Sequence, residues 1–204
     1  MNKIIALHSG TYYNLASLFK GAFVKYLYKT AYLAQLKADE LNDGDILLVS
    51  DSLVPRHLIL HKEIFRNFLK SGRTLVVCGR NDPELWLDGV EFVDLPFDFW
   101  WWLDKNKNDI QICQDDENHE LFNYIKFQNL LWHFHGGYKK LKGAKSAIKS
   151  KLNDEVSIYQ ECEFGGGRLI LTSLDPFFHH GCYFMPNASK FGEGLLNRLL
   201  GLKV

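Results

Sequence analysis

The stretch Gly165-Gly-Gly-Arg-Leu-Ile-Leu-Thr-Ser-Leu-Asp-Pro-Phe-Phe-His-His-Gly-Cys-Tyr183 decides how the chain folds. Its glycines make a turn. The apolar run Arg168 to Thr172 that follows is bounded by turn residues and too short for a helix, the pattern of a buried strand. Pro176 lacks a ladder donor and restrains the residue before it, so the strand stops at Asp175. Asp175, His179 and His180 then stand at the strand's outlet. Ligands bind outside the carboxyl ends of strands in a parallel α/β sheet, which makes these three the first candidate site residues.

The preceding chain supplies the partners such a strand needs. Lys3 to His8 reads as a first buried strand, and Leu15 to Leu27 carries apolar residues at helical spacing. Ala31 to Leu36 and Ile46 to Ser50 read as two further strands. Leu60, Ile64, Phe65, Phe68 and Leu69 line one face of a helix that Gly72 stops, and Thr74 to Val77 is another buried strand. This β-α-β-β-α-β alternation predicts a three-layer α/β fold of flavodoxin-like type, a mostly parallel sheet with helices on both faces. Glu155 to Glu163 reads as an antiparallel strand, and Asn187 to Leu200 as a closing helix ended by Gly201. With 204 residues, 47% of them apolar, a single domain over residues 1–204 is expected.

Charge and composition remove several classes of function. The 24 Lys and Arg residues balance 24 Asp and Glu, so no overall field draws the chain to nucleic acid or to an anionic membrane. The basic run Lys139 to Lys151 has little aromatic interleaving and reads as a solvated face. No apolar run approaches the ~20 residues of a spanning helix, and the first residues lack a signal-peptide core, so a cytoplasmic address is expected. Cys78, Cys113, Cys162 and Cys182 stand far apart and are expected as free thiols.

Three further groups are candidates for binding. His133 and His135 are two apart in an extended segment, so both face one way while Trp132 and Phe134 face the other. Arg80, Asn81 and Asp82 directly follow the strand that ends at Cys78. Trp100, Trp101 and Trp102 cannot all enter one core, so a surface or partner contact is expected of at least one. The histidines with Asp175 are the ligand types a divalent metal takes, but no His-Glu-x-x-His spacing ties them together, and no cofactor is assigned.

Asp45-Ile-Leu-Leu-Val-Ser-Asp51, Ser71-Gly-Arg-Thr-Leu-Val-Val-Cys-Gly79 and Gly166-Gly-Arg-Leu-Ile-Leu-Thr-Ser-Leu-Asp-Pro176 together resemble the class I glutamine amidotransferase-like superfamily. Within it the chain looks most like the divergent ThuA-like branch. The resemblance implies an amidotransferase-like α/β fold with the catalytic cysteine at Cys78. The Gly-x-Cys-x-Gly elbow reads Val76-Val77-Cys78-Gly79-Arg80, and the His-Pro-Glu strand end reads Asp175-Pro176-Phe177, so the triad is degenerate and glutaminase activity is not expected.

The expected function is recognition of a small polar, sugar-like ligand, or service as an assembly module with another copy or a protein partner. Arg80, Asp82, Trp132, His133, His135 and His179 are the candidate ligand-binding residues. The rival reading is a hydrolase or isomerase using Cys78, His180 and Asp175, or a histidine-bound metal. A third is a protein-interaction module through Trp100 to Trp102.

Overall fold

The computed structural model describes residues 1–96, 101–103, 111–182 and 185–202. Among them the strands are Ile4–His8 (β1), Lys29–Tyr32 (β2), Ile46–Val49 (β3), Thr74–Cys78 (β4), Phe92–Val93 (β5), Ile112–Gln114 (β6), Gly137–Lys139 (β7), Lys145–Ser150 (β8), Val156–Phe164 (β9) and Gly167–Thr172 (β10). The α-helices are Tyr12–Leu18 (α1), Pro55–Leu60 (α2), Lys62–Lys70 (α3), Pro176–Gly181 (α4) and Pro186–Leu200 (α5).

The chain forms the expected three-layer α/β fold. Its sheet has a parallel body in the order β2-β1-β3-β4-β10. Past β10 the sheet turns antiparallel, with β9 pairing β10, β8 and β7, and with β5 and β6 on the margins. Strands inside the body are buried on both faces, which is why they read as continuous apolar runs. Alternate residues enter separate cores. Ile4, Ala6, Ile46, Leu48, Val76, Cys78 and Ile170 pack beneath α1, α4 and α5, and Ile5, Leu7, Leu47, Val49, Leu75, Val77 and Leu169 beneath α2 and α3.

Several element boundaries differ from expectation. The first helix ends at Leu18, well short of Leu27, because the chain turns through Gly21, where a Cβ would lie 2.6 Å from the Ala16 carbonyl oxygen. The second strand comes earlier, at Lys29–Tyr32, and the Leu60-to-Leu69 helix is two helices meeting at His61. The Lys139-to-Lys151 run is not merely a solvated face. Part of it is β8, which buries Ser146, Ala147, Ile148 and Ser150 while Lys145 stays exposed. Among the described residues no helix is long and apolar enough to cross a membrane.

Candidate functional site

Three strand outlets converge at the carboxyl edge of the parallel body. Gly79, just past β4, donates its N–H to the carbonyls of Thr172 at 2.8 Å and Leu174 at 2.9 Å, which fixes the outlet of β10 against that of β4. Gly79 has φ +67°, and a Cβ there would lie 2.8 Å from Asp51 Cβ and 3.1 Å from Asp175 Cβ. Only glycine meets both conditions, and its bare Cα lets two carboxylates flank one turn.

Asp51 follows β3 and is fully buried. Its Oδ2 accepts from Phe177 N at 2.9 Å and its Oδ1 from Phe178 N at 2.7 Å. Asp51 therefore caps the first turn of α4 from a distant strand, in place of Asp175, whose side chain makes no cap bond although it occupies the N-cap position. Burial, and then the neighbouring Asp175, push the Asp51 carboxyl well above the usual carboxylate range, and the two amides oppose them.

Asp175 faces the histidines. Its Oδ2 lies 3.2 Å from His179 Nε2 and 3.7 Å from His135 Nε2. The His133 ring stands edge-on to His179 at 4.2 Å between centroids and to His135 at 5.3 Å. One ligand atom each from His133, His135 and Asp175 fall within 4.8 Å of one another. Burial lowers the His133 pKa to about 4 against the pull of Asp175, so this imidazole is neutral at pH 7. The His135 side chain is 42% exposed and forms the solvent-facing side of the cluster, whereas Asp175 Oδ1 is buried with no hydrogen-bond partner among the described residues.

The two histidine segments thus meet as expected, but through His179. Consecutive helical residues project about 100° apart. His179 turns toward Asp175 and Trp132, while His180 turns toward α5, sharing a hydrogen bond between its Nδ1 and Ser189 Oγ at 2.8 Å and packing on Phe23. His180, expected beside Asp175 as a catalytic residue, is thus placed against α5 and outside the cluster. Trp132 is not a ligand contact either: it is 1% exposed and backs His133 and His179 from within the core.

Arg80 and Asp82 are engaged with each other at 3.3 Å. Arg80 also pairs with Asp94 and lies over the Phe92 ring, so this pair anchors the following loop instead of joining the histidines. Asn81 bridges two strand outlets, donating to Ser50 O at 2.7 Å and Cys78 O at 2.9 Å. Cys78 itself is fully buried, and burial together with Asp51 and Asp175 pushes its thiol well above the usual range. That is the reverse of the electropositive, accessible setting that activates a cysteine nucleophile. Trp101 is buried against Phe134 and Trp102 is half-buried beside His133, so neither serves as an exposed anchor. Trp100 lies outside the described residues.

Asp51 was not singled out from the sequence. The available signal was a carboxylate directly at the outlet of a buried strand. A second buried polar group also went unread. Arg198 of α5 donates to Tyr159 Oη at 2.8 Å and pairs with Glu161 at 2.9 Å, with Glu120 at 3.1 Å nearby. It lies near an open groove of about 1160 Å³ that includes Glu120, Glu161, Gly165 and Arg168. That groove is at the amino ends of β4 and β10, away from the histidine cluster, and Phe164 is the aromatic residue among the described residues that line it.

No protein-family description matches the sequence, and no curated protein matches it. Solved structures do match in fold. Cytoplasmic protein STM3548 from Salmonella typhimurium aligns with TM-score 0.58 and 14% identity over 97% of this chain and 98% of that one. Cytoplasmic protein STM1381 from Salmonella typhimurium LT2 aligns with TM-score 0.57 and 10% identity over 96% and 98%. A β-galactosidase from Bacillus circulans sp. alkalophilus aligns at TM-score 0.47 and 10% identity, over 99% of this chain and 31% of that one. The first two likenesses establish the α/β fold.

Proposed function

We propose that this protein is a divergent, ThuA-like member of the amidotransferase-like fold that binds a small polar, sugar-like ligand at the carboxyl edge of its sheet and has no glutaminase chemistry. The observation that carries this reading is the gathering of Asp175, His133, His135 and His179 at one outlet, with His135 facing solvent. A carboxylate accepts hydroxyl protons, and imidazole nitrogens donate or accept, a combination suited to a polyhydroxylated molecule. The cytoplasmic designation of both Salmonella neighbours supports a cytoplasmic address.

The test is calorimetry of the purified chain against a panel of monosaccharides, sugar acids and polyols. Binding is expected to be lost in His135→Ala and Asp175→Asn and kept in Arg80→Ala; a ligand indifferent to both site variants would sink this placement. Incubation with glutamine should release no ammonia. Release that disappears in Cys78→Ala would overturn the degenerate-triad reading.

A second reading, self-association, draws on the free edge of the sheet. Tyr32 of β2 and Tyr12 and Phe19 of the α1 segment are 42%, 66% and 43% exposed, and β2 ends the strand order. Edge strands of two copies related by a two-fold axis would continue the sheet. A monomer by light scattering across micromolar concentrations removes this reading.

A further inference from the structure

We infer that His133, His135 and Asp175 form a binding site for a divalent transition-metal ion, with zinc as the matching probe and His179 holding the Asp175 carboxylate in place. The inference rests on the same cluster as the proposed ligand site and adds the ion through which that ligand would be held.

Spacing is the first argument. Two ligand atoms each about 2.1 Å from one ion lie roughly 3.0 to 3.4 Å apart for right-angle or tetrahedral geometry. His135 Nε2 and Asp175 Oδ2 are 3.7 Å apart, and ligand atoms of all three residues fit within 4.8 Å. A separation of 3.7 Å is too long for a hydrogen bond yet only a few tenths of an ångström from a shared-ion distance. The widest pair of the three, up to 4.8 Å, has to draw in by roughly 1.4 Å on binding, and His135, 42% exposed, is the member on the solvent side.

Asp175 supplies the second argument. Its Oδ1 is buried without a hydrogen-bond partner among the described residues, in a side chain only 6% exposed. A buried carboxylate oxygen left unpaired is costly, and a cation beside it removes the cost. The third argument is the arrangement behind the carboxylate. His179 Nε2 stands 3.2 Å from Asp175 Oδ2, beside the oxygen that would ligate and close enough to hold that carboxylate in place behind the ion. Two imidazoles and one carboxylate are three protein ligands, the number that catalytic sites use where a fourth position takes water or substrate, whereas structural sites have four. The same donor set accepts manganese or iron, so selectivity would follow metal supply.

The experiment uses the full chain after chelator treatment, titrated with Zn²⁺ by calorimetry and by competition with a chromophoric chelator. Co²⁺ serves as a spectroscopic reporter of the ligand set. One ion per chain is expected. His133→Ala, His135→Ala and Asp175→Asn should each weaken binding by at least about 10-fold, and His179→Ala by roughly 10-fold to 100-fold with stoichiometry kept. His57 and His61, one helical turn apart across the α2–α3 junction, are the rival zinc pair, so His57→Ala/His61→Ala should leave affinity unchanged. Circular dichroism and the melting curve identify any variant that fails to fold, and Asp175→Asn preserves the shape of the side chain it tests. No stoichiometric binding to the folded wild type, or binding retained in His133→Ala/His135→Ala, overturns the metal site. If a polar ligand binds the metal-free chain in a His135-dependent way while zinc does not bind, the metal inference fails and the ligand reading stands. Zinc bound at the three residues with no polar ligand found is the opposite result.

Discussion

Asp51→Ala is the most informative perturbation of this fold, because one side chain reaches from β3 to start a helix more than a hundred positions later. The two amides it satisfies, at 2.7 and 2.9 Å, belong to the first turn of α4, which has only six residues. Removing the side chain leaves two amides of that turn without an acceptor, at about 1–3 kcal/mol for each buried group left unsatisfied. Losing both would cost roughly 2–6 kcal/mol, and relief from burying a carboxyl group beside Asp175 offsets part, leaving a net loss of about 2–4 kcal/mol. At about 2–4 °C per kcal/mol for a domain of this size, the melting temperature should fall by roughly 5–15 °C. Asp51→Asn keeps one acceptor and should fall between the two. The pH dependence carries its own sign. The folded-state pKa of Asp51 is raised by burial and by Asp175, so above the unfolded value of about 3.9 the native state holds the proton longer. Wild-type stability therefore declines relative to Asp51→Asn as pH rises from about 4, and the gap between them narrows. Urea unfolding of the three proteins at several pH values measures all of this. An Asp51→Ala melting temperature within about 1 °C of wild type, or a gap that widens with pH, refutes the capping argument.

Gly79→Ala should be more severe, about 3 kcal/mol or more, since it combines a left-handed backbone with a Cβ 2.8 Å from Asp51; a melting curve matching wild type would refute the close approach. Arg198→Met should cost about 2–4 kcal/mol by taking from buried Glu161 the more buried of its two arginine partners, Arg168 remaining, measured by chemical denaturation, and Glu161→Gln/Arg198→Met should recover part of it. Burial raises Glu161, but Arg198 and Arg168 outweigh it and hold its carboxyl below the ordinary value, so its stabilisation is present above about pH 4.3 and lost as pH falls through the folded-state value. Titration of wild type and Glu161→Gln from pH 6 to pH 2 checks that direction. Cys78 should resist alkylation in the native protein while half-buried Cys113, Cys162 and Cys182 react, and mass spectrometry after brief iodoacetamide treatment distinguishes them.

The buried strands were legible because β1, β3, β4 and β10 lie inside a parallel body, where apolar runs need no periodic pattern to be recognised. The antiparallel margin was not. β5, β6 and β7 are two or three residues long, below the length at which alternation carries information, and β8 hides buried Ala147 and Ile148 between lysines. The site was half legible. Asp175 and the histidines could be placed at an edge from the strand that precedes them, but which of His179 and His180 faces Asp175 depends on α4 being helical. That helix is too short to show periodicity, and its start is set by Asp51 far away in sequence.

The pairing of β10 with β4 also governs how the chain can be made. β4 is complete at Cys78, yet the strand that covers its edge begins at Gly167, and residues 79–166 intervene. During synthesis the apolar Leu75-Val-Val-Cys78 segment therefore presents an uncovered parallel edge while the whole antiparallel margin is still emerging from the ribosome. Closure of so long a loop makes folding slow relative to a protein of the same size with local pairing. The gathering of Asp51, Gly79 and Asp175 can form only once β10 has paired with β4. Truncation anywhere before Gly167 would leave both the sheet edge and the histidine cluster unmade.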